Sequence, residues 1–316
     1  MDSAVSSPDV SVIIAAHNVE NYVARSVRSA LDQRSVSVEV IVIDDASTDG
    51  TVDAVVRIDD PRVRLLRRSQ NGGPSAARNE GIAAVNAPWV AVLDGDDMFA
   101  PGRLARCLER AQKAEADIVV DNLEVRREAD GATWPMFCVR DFGGKDTLDL
   151  EAFIRGNSSF LGGVSLGYLK PIFRTSFLRE HRLVYDPDIR IGEDYLLLAE
   201  ALACGACCAV ENFCGYQYTV RAGSISHRLS VADVERMKEG DRKFMDKYAL
   251  PVAALKAQEK RNLSLNRVWA FTVFVEAIKN RRVVIALKIA LFNPMVILGL
   301  REAVWKRIQK LVGART

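Results

Sequence analysis

Three carboxylates stand within four residues of one another, at Asp94, Asp96 and Asp97. They follow directly on the apolar run at 89–93, which is typical of a buried strand. In an open α/β sheet, ligands bind at the carboxyl ends of the strands. Crowded acids repel one another unless a cation lies between them, and their oxygens suit Mg²⁺ or Mn²⁺ carrying phosphate oxygens as well. The alternative is a solvated acidic turn, because Asp and Gly both favour turns.

Strand and helix patterns alternate along the first hundred residues. A second pair of acids, Asp44 and Asp45, ends another apolar run, and right-handed crossovers bring the carboxyl ends of parallel strands to one edge of a sheet. The pattern predicts an α/β fold with a doubly wound, mostly parallel sheet. Strands are predicted at 10–16, 38–43, 62–66 and 89–93, and helices at 22–31, from about 47–51 onward, and after the Gly-Gly-Pro loop within 71–82.

Four blocks of the sequence resemble glycosyltransferase family 2, which has the GT-A fold. They are VSVIIAAHNVENYVARSVRSAL, VEVIVIDDASTDGT, NGGPSAARNEGI and WVAVLDGDDMFAPGRL, in the family's order and spacing. One departure is that Ala15, Ala16, His17 and Asn18 stand where the family commonly has Pro-x-Tyr-Asn. The resemblance is strong over 10–104 and extends more weakly to about 228. It implies a GT-A, Rossmann-like catalytic domain over 1–230, with a donor half at about 10–104 and an acceptor half at about 105–230.

Family members transfer a sugar from a nucleotide-diphosphate donor with inversion at the anomeric carbon, and UDP is the favoured nucleotide. Asp45 would then accept a hydrogen bond from the base N–H, because a carboxylate only accepts. Asp97 is expected to hold the divalent ion, Mn²⁺ or Mg²⁺, most directly, with Asp96 beside it and His227 as a further candidate ligand. For Arg78 the alternative is a surface ion pair. The resemblance places the nucleotide sugar against Ala15, His17, Asn18, Glu20, Asp44, Asp45, Arg78, Asp94 and Asp96.

The acceptor hydroxyl loses a proton as it attacks, which calls for a carboxylate base. Family members often carry a Glu-Asp pair ahead of a helix, and this chain has Glu193 and Asp194 before an apolar helical pattern. The resemblance implies that Asp194 is the base and that Glu193 is its neighbour or an acceptor contact. The alternative is that two acids merely stabilise the first turn of a helix.

Composition limits the remaining classes of function. The 316 residues carry a formal net charge of +2, which gives no basic footprint for nucleic acid. Four of the six cysteines lie between Cys204 and Cys214, but they do not form two separated Cys-x-x-Cys knuckles, so small buried thiols are favoured over a zinc site. The polar start, 1–9, predicts no signal peptide. A cytoplasmic enzyme that uses nucleotide sugars is expected.

The last part of the chain, 231–316, is predicted to be a helical extension. Its run VVIALKIALFNPMVILGL at 283–300 is apolar, is interrupted by Lys288, Asn293 and Pro294, and has basic flanks. A helix lying in the membrane interface fits this pattern better than a clean span. The alternative is a helical hairpin packed on the catalytic domain or on a second subunit, as in a homodimer. A position at the inner face of the membrane favours a glycan or lipid-linked acceptor and a role in exopolysaccharide or surface glycan assembly.

Two further classes stay open. A nucleotidyltransferase has a similar sheet, but no Gly-rich loop bearing Arg and Lys follows the first strand. A non-catalytic nucleotide- or glycan-binding module would have no need of all the acids that the chain retains. A dinucleotide oxidoreductase is disfavoured because no G-x-G-x-x-G follows the first strand.

Overall fold

The computed structural model describes residues 7–158, 165–221, 229–294 and 296. Its first half is a parallel sheet whose strands run in the order β3-β2-β1-β4. The three inner strands of this half are mostly buried apolar runs, as expected where both faces of a parallel sheet are covered, whereas the edge strand β3 is partly exposed and carries two arginines. Each begins and ends within one residue of its predicted position: β1 (Val10–Ala16), β2 (Val38–Asp44), β3 (Val63–Arg67) and β4 (Trp89–Asp94).

Three helices connect these strands, and α3 lies closest to the sheet. A side chain at Gly81 would overlap Ile13 of β1 and Ile43 of β2, so glycine permits this close packing. The helix thereby holds Arg78, which precedes Gly81 by three residues, against the carboxyl ends of the strands. The helices are α1 (Val23–Leu31), α2 (Thr51–Val56) and α3 (Gly73–Ala84).

The second half of the sheet is mixed, and all antiparallel pairings in the described part of the chain involve strands that follow β4. In this half β8 runs antiparallel to β4 and β6, whereas β9 runs parallel to β6. The α/β prediction is confirmed, but the sheet is mostly parallel only over its first half. The strands are β5 (Met98–Phe99), β6 (Ile118–Arg127), β7 (Thr133–Pro135), β8 (Ile172–Arg174) and β9 (Cys208–Val220).

In the described residues of the mixed half, four helices and two short 3-10 turns accompany the strands. The last of these helices begins at the Glu193-Asp194 pair, so both acids lie in its first turn. The elements are α4 (Arg103–Ala114), α5 (Leu150–Arg155), α6 (Thr175–Glu180), α7 (Glu193–Ala203) and the 3-10 turns Val139–Phe142 and Leu166–Tyr168.

The C-terminal extension consists of α8 (Val231–Lys247), α9 (Val252–Lys279) and α10 (Val283–Phe292) in the described residues. Phe244 of α8 and Ala257 of α9 are buried in the main core. The second half of α9 forms a small separate core with α10. The described part of the extension is therefore helical, as predicted, and its first part packs on the main core.

The apolar run predicted at 283–300 forms α10 over its first ten residues, and most of the remainder lies outside the described residues. Side chains of α10 that are more than half exposed are Val283, Val284, Leu287, Leu291 and Phe292. Within the described ranges, no helix combines the length and apolar character needed to cross a membrane.

Candidate active site

One cavity of about 710 Å³ collects acids from widely separated segments of the chain. Asp45 follows β2, Asp97 follows β4 and Asp194 lies in the first turn of α7. All three line this cavity. The convergence of distant acids that the sequence predicted is therefore present. Other predicted residues in the lining are Ala15, His17, Arg78, Asp94, Asp96 and Glu193.

One side of the cavity, the loop wall, consists of Ala15, His17, Asp45, Asn71 and Gly73. Asp45 is fixed here by backbone groups: its carboxylate accepts hydrogen bonds from Gly72 N (2.9 Å) and Gly73 N (2.7 Å). Arg68 Nε lies 2.8 Å from Asp45 Oδ1. This acid is 3% exposed, and its orientation is set by the amides at the start of α3.

His17 is held by the same loop. Its Nδ1 lies 2.9 Å from the Asp45 carbonyl oxygen, which can only accept, so Nδ1 carries the proton. In that tautomer Nε2 accepts a hydrogen bond from Asn18 Nδ2 at 3.3 Å. The ring therefore stands in a defined orientation at the loop wall while remaining exposed.

Three residues that were predicted to bind the nucleotide sugar do not line the cavity: Asn18, Glu20 and Asp44. Their side chains accept hydrogen bonds from backbone N–H groups of the loop at 47–50, at 2.9, 2.7 and 3.3 Å respectively. Asn18 and Glu20 thereby join the loop after β1 to the loop after β2, and Asp44 stabilises the turn of the second loop. Their contact with the nucleotide sugar remains a prediction. In this structure they stabilise the loops next to the loop wall through these hydrogen bonds.

Asp97 is enclosed by strand β9. Its carboxylate accepts hydrogen bonds from the Tyr216 hydroxyl (2.8 Å) and the Thr219 backbone N–H (2.7 Å), and the residue is 1% exposed. Burial raises the pKa of Asp97 well above its ordinary value, and the charges of Asp96 and Asp94 act in the same direction. Both carboxylate oxygens are thus engaged with the protein.

Asp96 is more open, with 21% of its side chain exposed. Arg221 Nε donates to its Oδ2 at 2.7 Å, whereas Oδ1 has no hydrogen bond to any residue that the structure describes. Within those residues, no group of three His, Cys, Asp or Glu side chains is arranged to hold a metal ion. His227, the third predicted ligand, lies outside the described residues.

Arg78 and Lys170 join Asp94 to Asp194 of α7 in a closed ring of ion pairs. Arg78 contacts Asp94 Oδ1 at 2.6 Å, Glu193 Oε1 at 2.7 Å and Asp194 Oδ1 at 3.2 Å. Lys170 contacts Asp94 Oδ2 at 2.8 Å and Asp194 Oδ2 at 2.6 Å. Two cations therefore fix both oxygens of Asp194 and Asp94. Arg78 is 3% exposed, so its alternative interpretation as a surface pair is wrong.

Comparisons with known proteins agree with this geometry. The family described as glycosyl transferase family 2 matches residues 11–177. The succinoglycan biosynthesis protein ExoO of Rhizobium meliloti (strain 1021) is 44% identical over 304 residues, which is 96% of this chain and 87% of that protein. This chain belongs to glycosyl transferase family 2.

A second relative of this family 2 glycosyltransferase is the succinoglycan biosynthesis protein ExoU of the same organism. It is 38% identical over 247 residues, which cover 77% of this chain and 71% of that protein. The two relatives and the family match confirm the prediction of a glycosyltransferase over a nucleotidyltransferase or a non-catalytic module.

Solved structures show the same fold at low identity. S. aureus TarS 1-349 superposes with a TM-score of 0.65 at 21% identity, covering 89% of this chain and 79% of that chain. The mannosyltransferase PcManGT from Pyrobaculum calidifontis, in complex with GDP-Man and Mn²⁺, gives a TM-score of 0.61 at 17% identity, covering 97% and 88%. The GT-A fold predicted from the sequence is confirmed.

Charge sharing within the ring explains how this family 2 enzyme buries three acids in one place. Burial alone would raise the pKa of Asp94, but Lys170 and Arg78 outweigh it and hold that pKa well below its usual range. Burial and the charge of Asp194 raise the pKa of Glu193, and Arg78 only partly offsets them. A carboxylate with two cations stays ionised at neutral pH, and the neighbour with one cation protonates more readily.

Sequence reasoning missed Lys170. It occurs in the stretch LGYLKPIF at 166–173, directly before β8. A lysine is almost never buried in such surroundings unless a carboxylate pairs with it. That mismatch between a charged residue and its apolar neighbours was the available signal, although it does not identify the partner acids.

The site also rests on a second buried ion pair. Arg103 and Asp121 are fully buried and joined by two hydrogen bonds, of 2.8 and 2.7 Å. Arg103 also donates to the Lys170 carbonyl oxygen at 2.7 Å, and its guanidinium lies 5.3 Å from the ring centroid of Tyr216. Tyr216 in turn donates a hydrogen bond to Asp97. Arg103 therefore supports both Lys170, a member of the ion-pair ring, and Tyr216, which binds the acidic turn.

Proposed function

We propose that this enzyme moves a sugar, a hexose in the first instance, from a nucleoside-diphosphate donor to a hydroxyl of a glycan or lipid-linked acceptor, with inversion. One observation carries the proposal: Asp45, Asp96 and Asp194 line a single cavity. They supply it with a hydrogen-bond acceptor for a base, a ligand for a cation and a carboxylate base. In a single displacement the acceptor oxygen bonds to the anomeric carbon while the bond to the diphosphate breaks. The electron pair leaves with the diphosphate.

Asp194 is proposed to receive the proton of the acceptor hydroxyl. Each carboxylate oxygen has two acceptor positions, and Lys170 and Arg78 occupy one on each oxygen, so positions remain for the hydroxyl. The two cations hold the carboxylate in one orientation before substrate arrives. Glu193 pairs with the same Arg78 and lies beside Asp194 in the chain, so it is proposed as a positioning residue.

The loop wall is proposed to bind the nucleoside. Asp45 Oδ2 receives one hydrogen bond, from Gly73 N, and keeps one acceptor position for the N–H of a base. An imide N–H such as that of uracil meets this requirement, which supports UDP as the first candidate. Ala15 and His17 would flank the same nucleoside, and Arg221, which lines the cavity, would face the diphosphate.

A divalent ion fits this site through Asp96. Mg²⁺ is usually bound by one or two carboxylates together with substrate phosphates, so three converging protein ligands are not required. Asp96 Oδ1 is available and 21% of this side chain is exposed, whereas Asp97 is only 1% exposed and both of its oxygens accept hydrogen bonds from β9. We therefore propose Asp96 as the protein ligand and Asp97 as the residue that positions the turn, with His227 kept as a prediction. A bound Mn²⁺ or Mg²⁺ would neutralise charge on the departing diphosphate.

A donor screen tests the activity. Purified enzyme is incubated with UDP-, GDP- and dTDP-sugars plus Mn²⁺, Mg²⁺ or EDTA, and released nucleotide is measured. We expect release from one class of donor, dependent on the ion. Asp96→Asn should lose the release of nucleotide that the ion stimulates. Asp97→Asn, which preserves the size of the side chain and an acceptor for Thr219 N, should retain it. Absence of release from every donor, with and without acceptor glycosides, would overturn the proposal.

The biological role is proposed to be exopolysaccharide or related surface glycan biosynthesis. The support is the 44% identity to a succinoglycan biosynthesis protein over nearly the whole chain. Such an acceptor would be a growing glycan, free or attached to a lipid. We retain the division into a catalytic domain at 1–230 and a helical extension at 231–316 as part of the proposal.

The extension is proposed to hold the enzyme at the inner face of the membrane. Exposed Leu287 and Leu291 of α10 lie beside the basic residues Arg281, Arg282 and Lys288, a combination suited to an anionic lipid surface. Co-sedimentation with anionic vesicles should fall for Leu287→Glu/Leu291→Glu. A matched control is Val56→Glu on α2, since Val56 is equally exposed, at 67%. Loss of a dimer in light scattering, without a change in vesicle binding, would instead support the homodimer.

A further inference from the structure

Part of the cavity is formed by long side chains from distant elements: Tyr168, Lys170, Asp194, Tyr218 and Arg261. We call this set the side-chain wall. Tyr168 is its most open aromatic ring, at 37% exposure. It packs edge to face on Tyr218, with ring centroids 5.7 Å apart. An aromatic ring that is held from one side and open to a cavity on the other offers a flat apolar surface to a ligand.

Tyr168 lies close to the proposed base. It precedes Lys170 by two residues, so their Cα atoms are separated by at most about 7 Å. Lys170 in turn lies 2.6 Å from Asp194 Oδ2. Tyr168, Lys170 and Asp194 also line one cavity, so a ligand resting on the Tyr168 ring would lie in the same cavity as the proposed base.

The nucleoside side is farther away. Asp45 follows β2, whereas Lys170 leads into β8, and these strands are separated by β1 and β4 in the sheet. Three strand spacings of about 4.8 Å make roughly 14 Å. A base bound at Asp45 does not reach Tyr168, so the ring is left for a sugar.

The segment that carries Tyr168 is fixed from below by Asn157. The Asn157 Oδ1 atom accepts hydrogen bonds from Ser165 Oγ and Gly167 N, both at 2.6 Å. The Asn157 carbonyl oxygen accepts a hydrogen bond from Arg261 Nη1 at 3.1 Å. The orientation of the 3-10 turn at 166–168 thus depends on a residue of α9.

Arg261 is itself held by both neighbouring helices. It is 2% exposed and pairs with Asp241 of α8 at 2.8 Å. Its guanidinium stacks on the ring of Tyr195 in α7, with 3.5 Å from Cζ to the centroid. Tyr195 directly follows Asp194, so Arg261 links the base-bearing helix to the segment that carries Tyr168.

We propose that Tyr168, supported by Tyr218, is the stacking platform for the terminal sugar ring of the acceptor, and that Arg261 of the helical extension positions the segment that carries Tyr168. This inference rests on the proposed glycosyl transfer. Sugar rings present a face of C–H groups that packs on aromatic rings, and their hydroxyls then point to the sides. The extension consequently has a role in acceptor binding that is independent of any contact with membranes.

Kinetics with alkyl glycosides test the platform. With the donor found in the screen, KM is measured for octyl β-glucoside and octyl β-galactoside as acceptors, and the donor KM is measured by hydrolysis without acceptor. Tyr168→Ala should raise the acceptor KM about tenfold and leave the donor KM within twofold. Tyr168→Phe, which keeps the ring, should restore the acceptor KM. Trp134→Ala is the matched control, because Trp134 is 39% exposed and does not line the cavity.

An unchanged acceptor KM in Tyr168→Ala would overturn the platform. A donor KM that rises as much as the acceptor KM would overturn it as well, because the ring would then contact the donor sugar. If wild-type enzyme releases nucleotide from no donor, with or without an acceptor glycoside, the proposed function itself fails, which is a separate outcome.

Arg261→Lys tests the positioning role. It keeps the charge opposite Asp241 but loses the planar group that reaches Asn157 and stacks on Tyr195. We expect a rise in acceptor KM of severalfold with an unchanged donor KM, in protein whose circular dichroism spectrum matches wild type. A folded Arg261→Lys variant with wild-type acceptor KM would remove Arg261 from the proposal.

Discussion

The loop wall and the side-chain wall share a cavity but are built in different ways. In the loop wall, Asp45 is oriented by backbone amides of Gly72 and Gly73, and His17 by a backbone carbonyl. In the side-chain wall, Lys170 and Asp194 are oriented by an ion pair with each other, and Asp194 is also oriented by an ion pair with Arg78. The first wall is therefore set by local chain geometry, and the second depends on which distant residues the fold brings together.

This difference predicts that the two walls fail differently on mutation. A wall built on backbone hydrogen bonds loses little when one side chain changes, because most of its contacts remain. A wall built on buried charges loses much, because removal of one partner leaves another charge without compensation.

The largest expected effect is at Asp194, where the side-chain wall meets the chemistry. Asp194→Asn removes the proton acceptor but keeps the shape of the side chain. Transfer should fall by about 10²–10⁴-fold, the usual contribution of a general base. Donor binding, measured by calorimetry with the nucleotide sugar, should stay within a few-fold of wild type. Transfer at the wild-type rate would exclude Asp194 as the base.

The same contrast explains what the sequence could predict. The four strands of the first half were placed within one residue, because each is a short segment dominated by β-branched or other apolar residues between turn residues. Asp45, Asp96 and Asp194 were found because acids at strand ends and in a first helical turn are local patterns, and because the family blocks surround them.

Residues such as Lys170 and Arg261 could not be found in that way. Lys170 acquires its function from Asp94 and Asp194, which are 76 and 24 residues away in the chain. Arg261 resides in the extension, where the sequence indicated helix but not which face packs on α7. For Asp97 the acidic turn predicted a metal ligand, which stays a prediction, but the sequence did not show that Tyr216 and Thr219 of β9, more than a hundred residues later, hydrogen-bond to this carboxylate.

The next effect concerns the pair beneath the side-chain wall. Asp121→Leu should cost about 3–5 kcal/mol of unfolding free energy, because it leaves Arg103 buried and unpaired. The double variant Arg103→Met/Asp121→Leu should recover most of that loss. Denaturant titration measures both.

Arg242→Met is the exposed counterpart for this experiment, since Arg242 pairs with Glu239 and Asp246 on the surface of α8. It should leave the denaturation midpoint unchanged. Equal stability losses in Asp121→Leu and in the double variant would contradict the role of the buried pair.

A smaller effect is expected for Lys170→Met. Burial raises the pKa of Asp94, and the Lys170 ammonium, 2.8 Å from Asp94 Oδ2, does most to hold that pKa down. Loss of the ammonium makes Asp94 easier to protonate, although Arg78 still faces it, and protonation of Asp94 opens the ring of ion pairs that orients Asp194. The acid limb of the rate profile should move to higher pH by about one unit or more. Lys170→Arg keeps the charge and should keep the limb in place. A limb that does not move in Lys170→Met would show that the lysine acts only on structure.

Glu193→Gln sharpens the comparison through stability. The pKa of Glu193 is raised by burial and by the charge of Asp194, so folded wild type holds its proton more tightly than the unfolded chain. Wild-type stability therefore declines as pH rises from about 4.3 to the folded pKa, by about 1.4 kcal/mol per unit of difference. The Gln variant lacks this decline. Its melting temperature relative to wild type should rise with pH over that window, and a constant difference would contradict the assignment.

The smallest effect is expected in the loop wall, at Asn18. Its φ of 52° lies in the left-handed region, and its side chain accepts a hydrogen bond from Thr48 N at 2.9 Å. Asn18→Ala adds backbone strain to the lost hydrogen bond, for about 1–2 kcal/mol in total, whereas Asn18→Gly loses the bond without the strain. Both variants should shift the donor KM by only a few-fold and leave the acceptor KM unchanged, because the amides that hold Asp45 remain. If either variant abolished donor binding, the loop wall would depend on single side chains after all, and its contrast with the side-chain wall would be lost.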